Sequence, residues 1–321
     1  MASLINGSWS DEPIATSNGK GEFARKQSQF RDCIAPEDAT PGRYHLYVSF
    51  ACPWAHRTLI VRNLKKLQKI IPYSVTNAFM GEKGWTFGSG HEIEYLANVY
   101  RGADKNYTGK VSVPVLWDNR KETIVNNESS EIIRILNTSF NGLSDSAIDL
   151  NPDEKKEEIN SINERIYENV NNGVYKTGFA TNQAAYEKSF RELFSTLDGL
   201  EKLLGTQKFL VGDKLTEADV RLFTTLIRFD AVYYVHFKCN WRKISEYPNL
   251  SEYVRCLYQI PEFKETCHFD HIKEHYYLSH KFINPHRIIP LGPALSFEAP
   301  HSRGAVDYYY VKDARPLAYI N

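Results

Sequence analysis

The chain has 321 residues and carries 39 Lys and Arg against 39 Asp and Glu, so its formal net charge is zero. Chains of this length usually form two domains of about 100–200 residues each. A balanced charge provides no basic field for nucleic acid or an anionic membrane surface. No stretch approaches the ~18–20 consecutive apolar residues of a membrane helix. We therefore expect neither a nucleic-acid partner nor a membrane span.

The cysteines indicate the redox compartment. Five are scattered along the chain, at Cys33, Cys52, Cys239, Cys256 and Cys267. An odd number at wide spacing is not a disulfide framework, which secreted proteins build from paired cysteines. The composition therefore predicts a reducing compartment and a cytoplasmic location.

The first half of the chain has an α/β pattern. Residues 1–43 are rich in Ser, Gly, Asn and Asp and predict an irregular N-terminal arm. Aromatic and β-branched residues from Tyr44 predict a buried strand, and Pro53 is typical of a first helical turn. Further strands are predicted over 73–79 and 111–117, with a helix starting near Glu128 and Ser129. The pattern predicts a small α/β domain over 44–140.

The second half has a helical pattern. A polar linker is expected over 139–151, followed by an all-α domain over 151–290. Its clearest helical segments are predicted over 153–170, 184–204 and 217–235. Thr216 and Asp219 have the spacing of a capping box, to which Leu215 and Val220 could add a hydrophobic staple. The C-terminal extension over 291–321 is rich in Pro and Tyr, and no periodicity predicts its structure.

Cys52 is the candidate nucleophile. It directly precedes Pro53 at a predicted helix start, where unpaired backbone amides favour a thiolate. The fourth position of a thioredoxin-type redox motif would hold a second cysteine, but here it is Ala55. Cys52 could therefore form a mixed disulfide that only an external thiol can break, and glutathione is the obvious candidate. The alternative is a small buried side chain without reactivity.

Three features could bind a tripeptide thiol. Val113-Pro114 could form a cis bend that leaves the Val113 backbone free to pair with an extended peptide, or could simply be a strand edge. Glu128 and Ser129 open a helix, where Ser129 could receive a carboxylate and Glu128 an ammonium group, or could be an ordinary cap. Lys110 could bind a carboxylate, and an exposed Trp85 on a Gly-rich loop could cover the peptide.

The ordered motifs resemble those of a known family. They are Cys52-Pro53-Trp54-Ala55, Gly84-Trp85-Thr86-Phe87, Val113-Pro114 and Glu128-Ser129, together with the runs YVSFACPWAHRTLIVR, VPVLWD, NNESSEIIR, NNGVYKTGFA, LTEADVRL, HFKCN and HYYLSHKFINP. This set is similar to glutathione transferases, and more narrowly to the Xi class, the glutathionyl-hydroquinone reductases. The resemblance covers roughly residues 22 to 293.

The resemblance implies a glutathione transferase fold: an α/β thioredoxin-like N-terminal domain plus an all-α C-terminal domain. It implies catalysis by Cys52, a homodimer, and glutathione as co-substrate, bound by Trp85, Lys110, Val113, Glu128 and Ser129. Family members often have Arg where this chain has Lys110, so a bidentate carboxylate contact would become a point-charge contact.

The implied reaction reduces S-glutathionyl-hydroquinones to hydroquinones through a Cys52–glutathione mixed disulfide, with oxidised glutathione as co-product. Tyr175 and Tyr276 are the expected proton donors, and Tyr277 is expected to join them in the substrate pocket. His275 and His280 with Glu274 do not have the spacing of a zinc site, so no metal is expected.

Two alternatives remain at this point. A general Cys-type glutathione thioltransferase or dehydroascorbate reductase would share the thiol chemistry but would not need a tyrosine-lined pocket. A non-enzymatic binding protein could reuse the same fold, because a fold alone does not determine activity.

Overall fold

The computed structural model of the protein describes residues 3–10 and 17–311, so the predicted arm and extension lie partly outside the described residues. The strands are β1 (Ser3–Ile5), β2 (Ser8–Ser10), β3 (Tyr44–Val48), β4 (Tyr73–Val75), β5 (Gly109–Lys110), β6 (Val115–Asp118), β7 (Thr123–Asn126), β8 (Ile148–Asp149), β9 (Lys214–Leu215) and β10 (Asp307–Tyr310). The helices are α1 (Pro53–Leu64), α2 (Leu96–Ala103), α3 (Ser129–Thr138), α4 (Lys156–Ile166), α5 (Gly173–Gly178), α6 (Gln183–Leu204), α7 (Glu217–Arg228), α8 (Tyr234–His236), α9 (Pro248–Tyr258), α10 (Pro261–Lys264) and α11 (Phe269–Ser279).

A four-stranded mixed sheet organises the N-terminal part. Its strand order is β4-β3-β6-β7, with β3 parallel to β4 and antiparallel to β6. Helix α1 packs against α3, and α2 packs against β7. This architecture confirms the predicted α/β class. The sequence pattern missed α2 and β7, and the strands predicted over 73–79 and 111–117 are shorter in the structure.

The C-terminal part is helical, as predicted, and two π-helical stretches interrupt it at Tyr167–Asn171 and Phe229–Tyr233. The predicted capping box at the start of α7 is present. The Asp219 carboxylate accepts the Thr216 N–H at 2.9 Å, and it also accepts the Leu210 N–H at 2.9 Å and the Tyr253 hydroxyl at 2.8 Å. This buried carboxylate therefore connects α7 to the preceding loop and to α9.

Helix α7 also connects the two parts of the fold, since it packs against α1. The Arg228 side chain at its C-terminal end is fully buried. Its guanidinium donates to the carbonyls of Phe50 and Ala51, both at 2.9 Å, and to the Thr224 carbonyl at 2.7 Å. The helical part thereby positions the backbone that immediately precedes Cys52.

A strand lies in the extension for which the sequence predicted no structure. Strand β10 pairs antiparallel with β8 and parallel with β9. Strand β8 itself lies within the predicted polar linker over 139–151, and β9 ends directly before the capping box at Thr216. The C-terminal segment thus bridges two places that are far apart along the chain.

Across residues 3–10 and 17–311, no helix is both long enough and apolar enough to cross a bilayer.

Candidate active site

One cavity of about 800 Å³ collects most of the predicted site residues. It lies where the N-termini of α1 and α3 approach α5, α11 and the β5–β6 connection. The predicted residues on its wall are Cys52, Trp85, Lys110, Val113, Glu128, Ser129, Tyr175 and Tyr276. Tyr277 is absent from this wall, because its buried hydroxyl donates to the Ala231 carbonyl at 3.2 Å. The structure therefore does not place Tyr277 in the pocket where the sequence analysis expected it.

Cys52 is the N-cap residue of α1, with Pro53 at the first helical position. Its carbonyl accepts the His56 N–H at 2.9 Å, and its thiol lies 3.5 Å from the Val113 carbonyl oxygen. The sulfur therefore lies at the positive end of the helix and faces the cavity. All five cysteines are free thiols.

The pKa of the Cys52 thiol is shifted in the direction opposite to the one that its place at a helix start favours. Burial raises the pKa of this thiol, while the N–H groups of Ala55 and Trp54 and the charges of Arg228 and Arg25 lower it. The effect of burial is the larger one, so the pKa is raised overall. The helix terminus can be predicted from the sequence around Cys52, whereas the cavity wall that desolvates the sulfur forms only in the folded protein. The helix N-terminus thus lowers the pKa of Cys52, as the sequence indicated, but burial in the cavity wall outweighs this effect.

The Val113-Pro114 peptide bond is cis, which is one of the two alternatives that the sequence left open. The Val113 carbonyl accepts from the Cys52 thiol. Within residues 3–10 and 17–311, no group accepts the Val113 N–H. An extended peptide in the cavity could therefore pair with the Val113 backbone in the way that an added strand would.

The start of α3 forms an anion site. Ser129 is the first residue of this helix and is buried. Its hydroxyl accepts from the guanidinium of Arg57 at 3.3 Å, and that guanidinium lies 4.5 Å from the Trp54 ring centroid. Glu128 caps the helix by accepting the Ser130 N–H at 3.3 Å. A helix N-terminus beside a buried guanidinium favours a carboxylate ligand, and Glu128 offers a carboxylate to an ammonium group.

Lys110 lies on β5 and has no ion pair among the described residues. Burial, followed by the charges of Arg25 and Lys26, lowers its pKa to about 8. Lys110 is therefore a cation at neutral pH whose charge is not matched by a nearby carboxylate. A carboxylate ligand would supply the missing countercharge.

Trp85 is buried, which corrects the prediction of an exposed residue on a loop. Its ring stacks on the His275 ring with centroids 4.7 Å apart. Because α11 carries His275 over the loop, only 6% of Trp85 is exposed. One side of the indole still contributes to the cavity wall.

Three tyrosine hydroxyls form a continuous hydrogen-bonded series. The Tyr175 and Tyr276 oxygens are 2.6 Å apart, and the Tyr276 and Tyr233 oxygens are 3.0 Å apart. Burial raises the pKa of all three, so each is a protonated donor at neutral pH. Tyr175 lines the same cavity as Cys52, and a negative charge on Cys52 also raises the pKa of this phenol. The series can therefore deliver a proton next to Cys52.

Family models match both parts of this fold. The glutathione S-transferase N-terminal domain matches residues 51–139, and the glutathione S-transferase C-terminal domain matches residues 183–256. Glutathionyl-hydroquinone reductase PcpF of Sphingobium chlorophenolicum is 52% identical over 303 residues, which cover 92% of this chain and 97% of PcpF. This chain belongs to the glutathione S-transferase family.

Solved structures place the chain within the transferase family more narrowly. The glutathione transferase Xi of Phanerochaete chrysosporium is 48% identical, with a TM-score of 0.86 and coverage of 89% of this chain and 97% of that chain. The glutathione-bound structure of YqjG from Escherichia coli K-12 is 45% identical, with a TM-score of 0.86 and coverage of 94% and 98%. The chain is therefore an Xi-class transferase, as the motifs indicated.

Four residues of this transferase site were missed by the sequence analysis. Tyr233 joins the hydroxyl series, Arg57 supports the α3 terminus, Arg228 holds the backbone before Cys52, and Arg25 lines the cavity. Arg57 lies in the run around Cys52, where nothing in the sequence singled it out, whereas the other three lie in no quoted motif and Tyr233 is one of 20 tyrosines. Across the described ranges, no group of three or more His, Cys, Asp or Glu side chains could hold a metal ion.

Proposed function

We propose that this transferase reduces S-glutathionyl-hydroquinones to hydroquinones with glutathione and releases oxidised glutathione. One observation carries the proposal: Cys52 and the Tyr175–Tyr276 pair line the same cavity. A nucleophilic sulfur next to a proton donor matches what is needed to remove sulfur from an aromatic carbon. The name of the relative PcpF, a glutathionyl-hydroquinone reductase, supports the same reaction.

The glutathionyl group would bind along one side of the cavity. Its extended backbone pairs with Val113, and its γ-glutamyl carboxylate meets the N-terminus of α3 at Ser129, with Glu128 accepting its ammonium group. Lys110 binds the second carboxylate, and Trp85 covers the peptide. These contacts place the glutathione sulfur at Cys52 and the aromatic ring at Tyr175 and Tyr276.

The first step transfers the glutathionyl group. The Cys52 thiol first loses its proton to solvent, and the resulting thiolate attacks the glutathione sulfur, so that a sulfur–sulfur bond forms and the carbon–sulfur bond breaks. The electron pair of the broken bond goes to the aromatic carbon, which takes a proton from Tyr175. Tyr276 then returns a proton to Tyr175 through the 2.6 Å contact, solvent returns a proton to Tyr276, and the hydroquinone leaves. Cys52 is now disulfide-bonded to glutathione.

The second step restores the enzyme. A second glutathione, as its thiolate, attacks the glutathione sulfur of the mixed disulfide. Oxidised glutathione leaves, and Cys52 departs as a thiolate. Ala55 occupies the position where a resolving cysteine would lie in a dithiol enzyme, so the external thiol is required.

The function is tested by mass spectrometry of the protein mixed with one equivalent of a glutathionyl-hydroquinone. We expect an adduct of about 305 Da on Cys52 from disulfide formation, and release of free hydroquinone. A comparison of turnover with dehydroascorbate and with a simple mixed disulfide distinguishes a general thioltransferase, which would prefer those substrates. The absence of any adduct would contradict an enzymatic role for Cys52.

The tyrosine series yields a prediction with a neighbouring control. We expect Tyr276→Phe to lower turnover of a glutathionyl-hydroquinone by about 10- to 100-fold, because the proton donor loses its relay partner. Turnover of a simple mixed disulfide should not change, since its leaving thiolate needs no proton on carbon. Tyr277→Phe should leave both rates near wild type, because its hydroxyl lies outside the cavity. Equal losses on both substrates would contradict a proton-transfer role.

Lys110 makes glutathione binding pH-dependent. Its pKa is lowered to about 8, so the carboxylate contact is fully present below that pH and weakens as the ammonium group deprotonates above it. We expect the Kd of S-methylglutathione, measured by calorimetry, to rise up to about tenfold between roughly pH 7.5 and 9.5.

Lys110→Arg is the matched control, because its guanidinium stays charged across this range. The titration of the ligand's own amino group is common to both proteins and cancels in their comparison. Parallel pH profiles in the two proteins would show that Lys110 does not bind the ligand carboxylate.

We also propose a homodimer in the cytoplasm. Five free cysteines support a reducing compartment, and the resemblance to Xi-class transferases supports the dimer. Light scattering of the purified protein measures the mass directly. A particle of one chain's mass, 37.0 kDa, would contradict the dimer.

A further inference from the structure

Arg25 is held on the wall of the cavity, although it comes from the irregular segment between β2 and β3. Its Nε–H donates to the Asn172 side-chain oxygen at 2.8 Å. Its guanidinium carbon lies 4.6 Å from the Trp54 ring centroid and 5.3 Å from the Tyr175 ring centroid. These contacts fix the guanidinium plane beside the tyrosines, on the aromatic side of the cavity.

The remaining N–H groups of Arg25 are available to a ligand. They have no acceptor within residues 3–10 and 17–311, and neither Arg25 nor the adjacent Lys26 forms an ion pair there. By contrast, the three other arginines on the cavity wall are each paired with a carboxylate: Arg31 with Glu131, and both Arg134 and Arg221 with Glu217.

The charge around Arg25 favours an anion. Arg25 and Lys26 both lower the pKa of Lys110, so the three cations lie close enough to repel one another. No carboxylate contributes to that pKa shift. Lys110 binds one carboxylate in the function proposed above, and Arg25, whose two terminal nitrogens carry four free N–H groups, is suited to bind a further one.

The binding mode proposed for the first glutathionyl group does not use Arg25. In the function proposed above, on which this inference rests, that group contacts Val113, Ser129 and Lys110. After the hydroquinone departs, the space beside Tyr175 is the side from which a second glutathione can approach the mixed disulfide. Arg25 lies on that side.

We propose that Arg25, assisted by the charge of Lys26, binds a carboxylate of the second glutathione and directs its thiolate to the mixed disulfide. In the step it assists, the incoming thiolate bonds to the glutathione sulfur, and the sulfur–sulfur bond to Cys52 breaks. The thiol proton of the incoming glutathione goes to solvent. Arg25 is therefore a binding residue for the resolving thiol, separate from the residues that hold the first glutathionyl group.

The test isolates the second step. Protein carrying glutathione on Cys52 is prepared with a glutathionyl-hydroquinone, freed of excess reagent, and mixed with either glutathione or 2-mercaptoethanol. Loss of the adduct is followed by mass spectrometry. We expect Arg25→Met to slow release by glutathione about tenfold and to leave release by 2-mercaptoethanol, which has no carboxylate, unchanged. Arg25→Lys should lie between wild type and Arg25→Met.

Arg191→Gln is the matched control, because it removes the same charge from an exposed site on α6 outside the cavity. It should release the adduct at the wild-type rate with both thiols. Thermal unfolding of each variant checks that the fold is retained. Arg25→Met keeps a long apolar side chain over Trp54, so the cavity wall stays covered.

Three outcomes would overturn the inference. If Arg25→Met slows release equally with both thiols, Arg25 acts by stabilising the Cys52 thiolate as it leaves, and not by binding the incoming thiol. Unchanged release by glutathione would mean that Arg25 does not contact it. The third outcome is that Arg25→Met releases the adduct normally but forms it more slowly, and only when the hydroquinone ring carries a carboxylate. Arg25 would then bind the aromatic substrate rather than the second glutathione. A wild-type protein that forms no adduct would instead contradict the proposed function itself.

Discussion

Cys52→Ser should lower the glutathione-dependent reduction of a glutathionyl-hydroquinone to below about one thousandth of the wild-type rate. A serine hydroxyl at this position cannot form the disulfide to glutathione and is a weak nucleophile at neutral pH. The fold should be retained, because serine is a favourable N-cap residue and α1 begins directly after it. Steady-state turnover and a thermal unfolding curve measure the two effects separately.

Cys33→Ser is the control for this substitution. Among the five cysteines, all of which lie in the described residues, Cys33 is the exposed one. It would be the nucleophile if exposure of the sulfur were enough for the reaction. Its substitution should leave turnover unchanged. Substantial turnover by the Cys52→Ser protein, or loss of turnover in the Cys33→Ser protein, would show that the nucleophile has been misassigned.

Arg228→Met should reduce both stability and activity. Methionine fills a similar volume but leaves the carbonyls of Phe50, Ala51 and Thr224 without their donor. Losing these buried hydrogen bonds, offset in part by removing a buried charge, should cost about 2–4 kcal/mol in the free energy of unfolding. Urea unfolding measures this loss.

The same substitution should change the reactivity of Cys52. The Arg228 charge lowers the pKa of the Cys52 thiol, so its removal should raise that pKa further. Because the thiolate is the reactive form, the rate of alkylation by iodoacetamide should then rise at a higher pH than in the wild type. Arg228→Lys keeps the charge but not the guanidinium hydrogen bonds. It should therefore bring the alkylation profile close to that of the wild type while recovering less of the free energy of unfolding. An unchanged alkylation profile in Arg228→Met would exclude an electrostatic contribution.

The secondary-structure elements that could be predicted are those encoded by short stretches of adjacent residues. The strand before Cys52, the helix after it and the capping box at Thr216 each depend on a few adjacent residues, so their types and spacing were sufficient. Helix α2 was missed because it follows a Gly-rich loop and spans only eight residues. Strand β10 was missed because it is stabilised by pairing with distant strands rather than by its own pattern.

The properties of the site depend on contacts that are remote in sequence. Trp85 was expected to be exposed because its loop is rich in glycine, whereas His275, far along the chain, covers it. The raised pKa of Cys52 likewise results from burial, which depends on the folded chain rather than on the residues next to Cys52. Arg25 and Tyr233 reach the cavity only after folding, and no spacing in the sequence relates them to Cys52.

Strand β10 affects how the protein can fold during synthesis. Tyr310 pairs with Ile148, and Tyr308 pairs with Leu215, so the small sheet joins residues that are made at very different times. Until residues 307–310 leave the ribosome, β8 and β9 each lack a neighbour and present open backbone edges. A nascent chain at that stage, or one truncated before β10, is therefore the form most exposed to aggregation and to capture by chaperones.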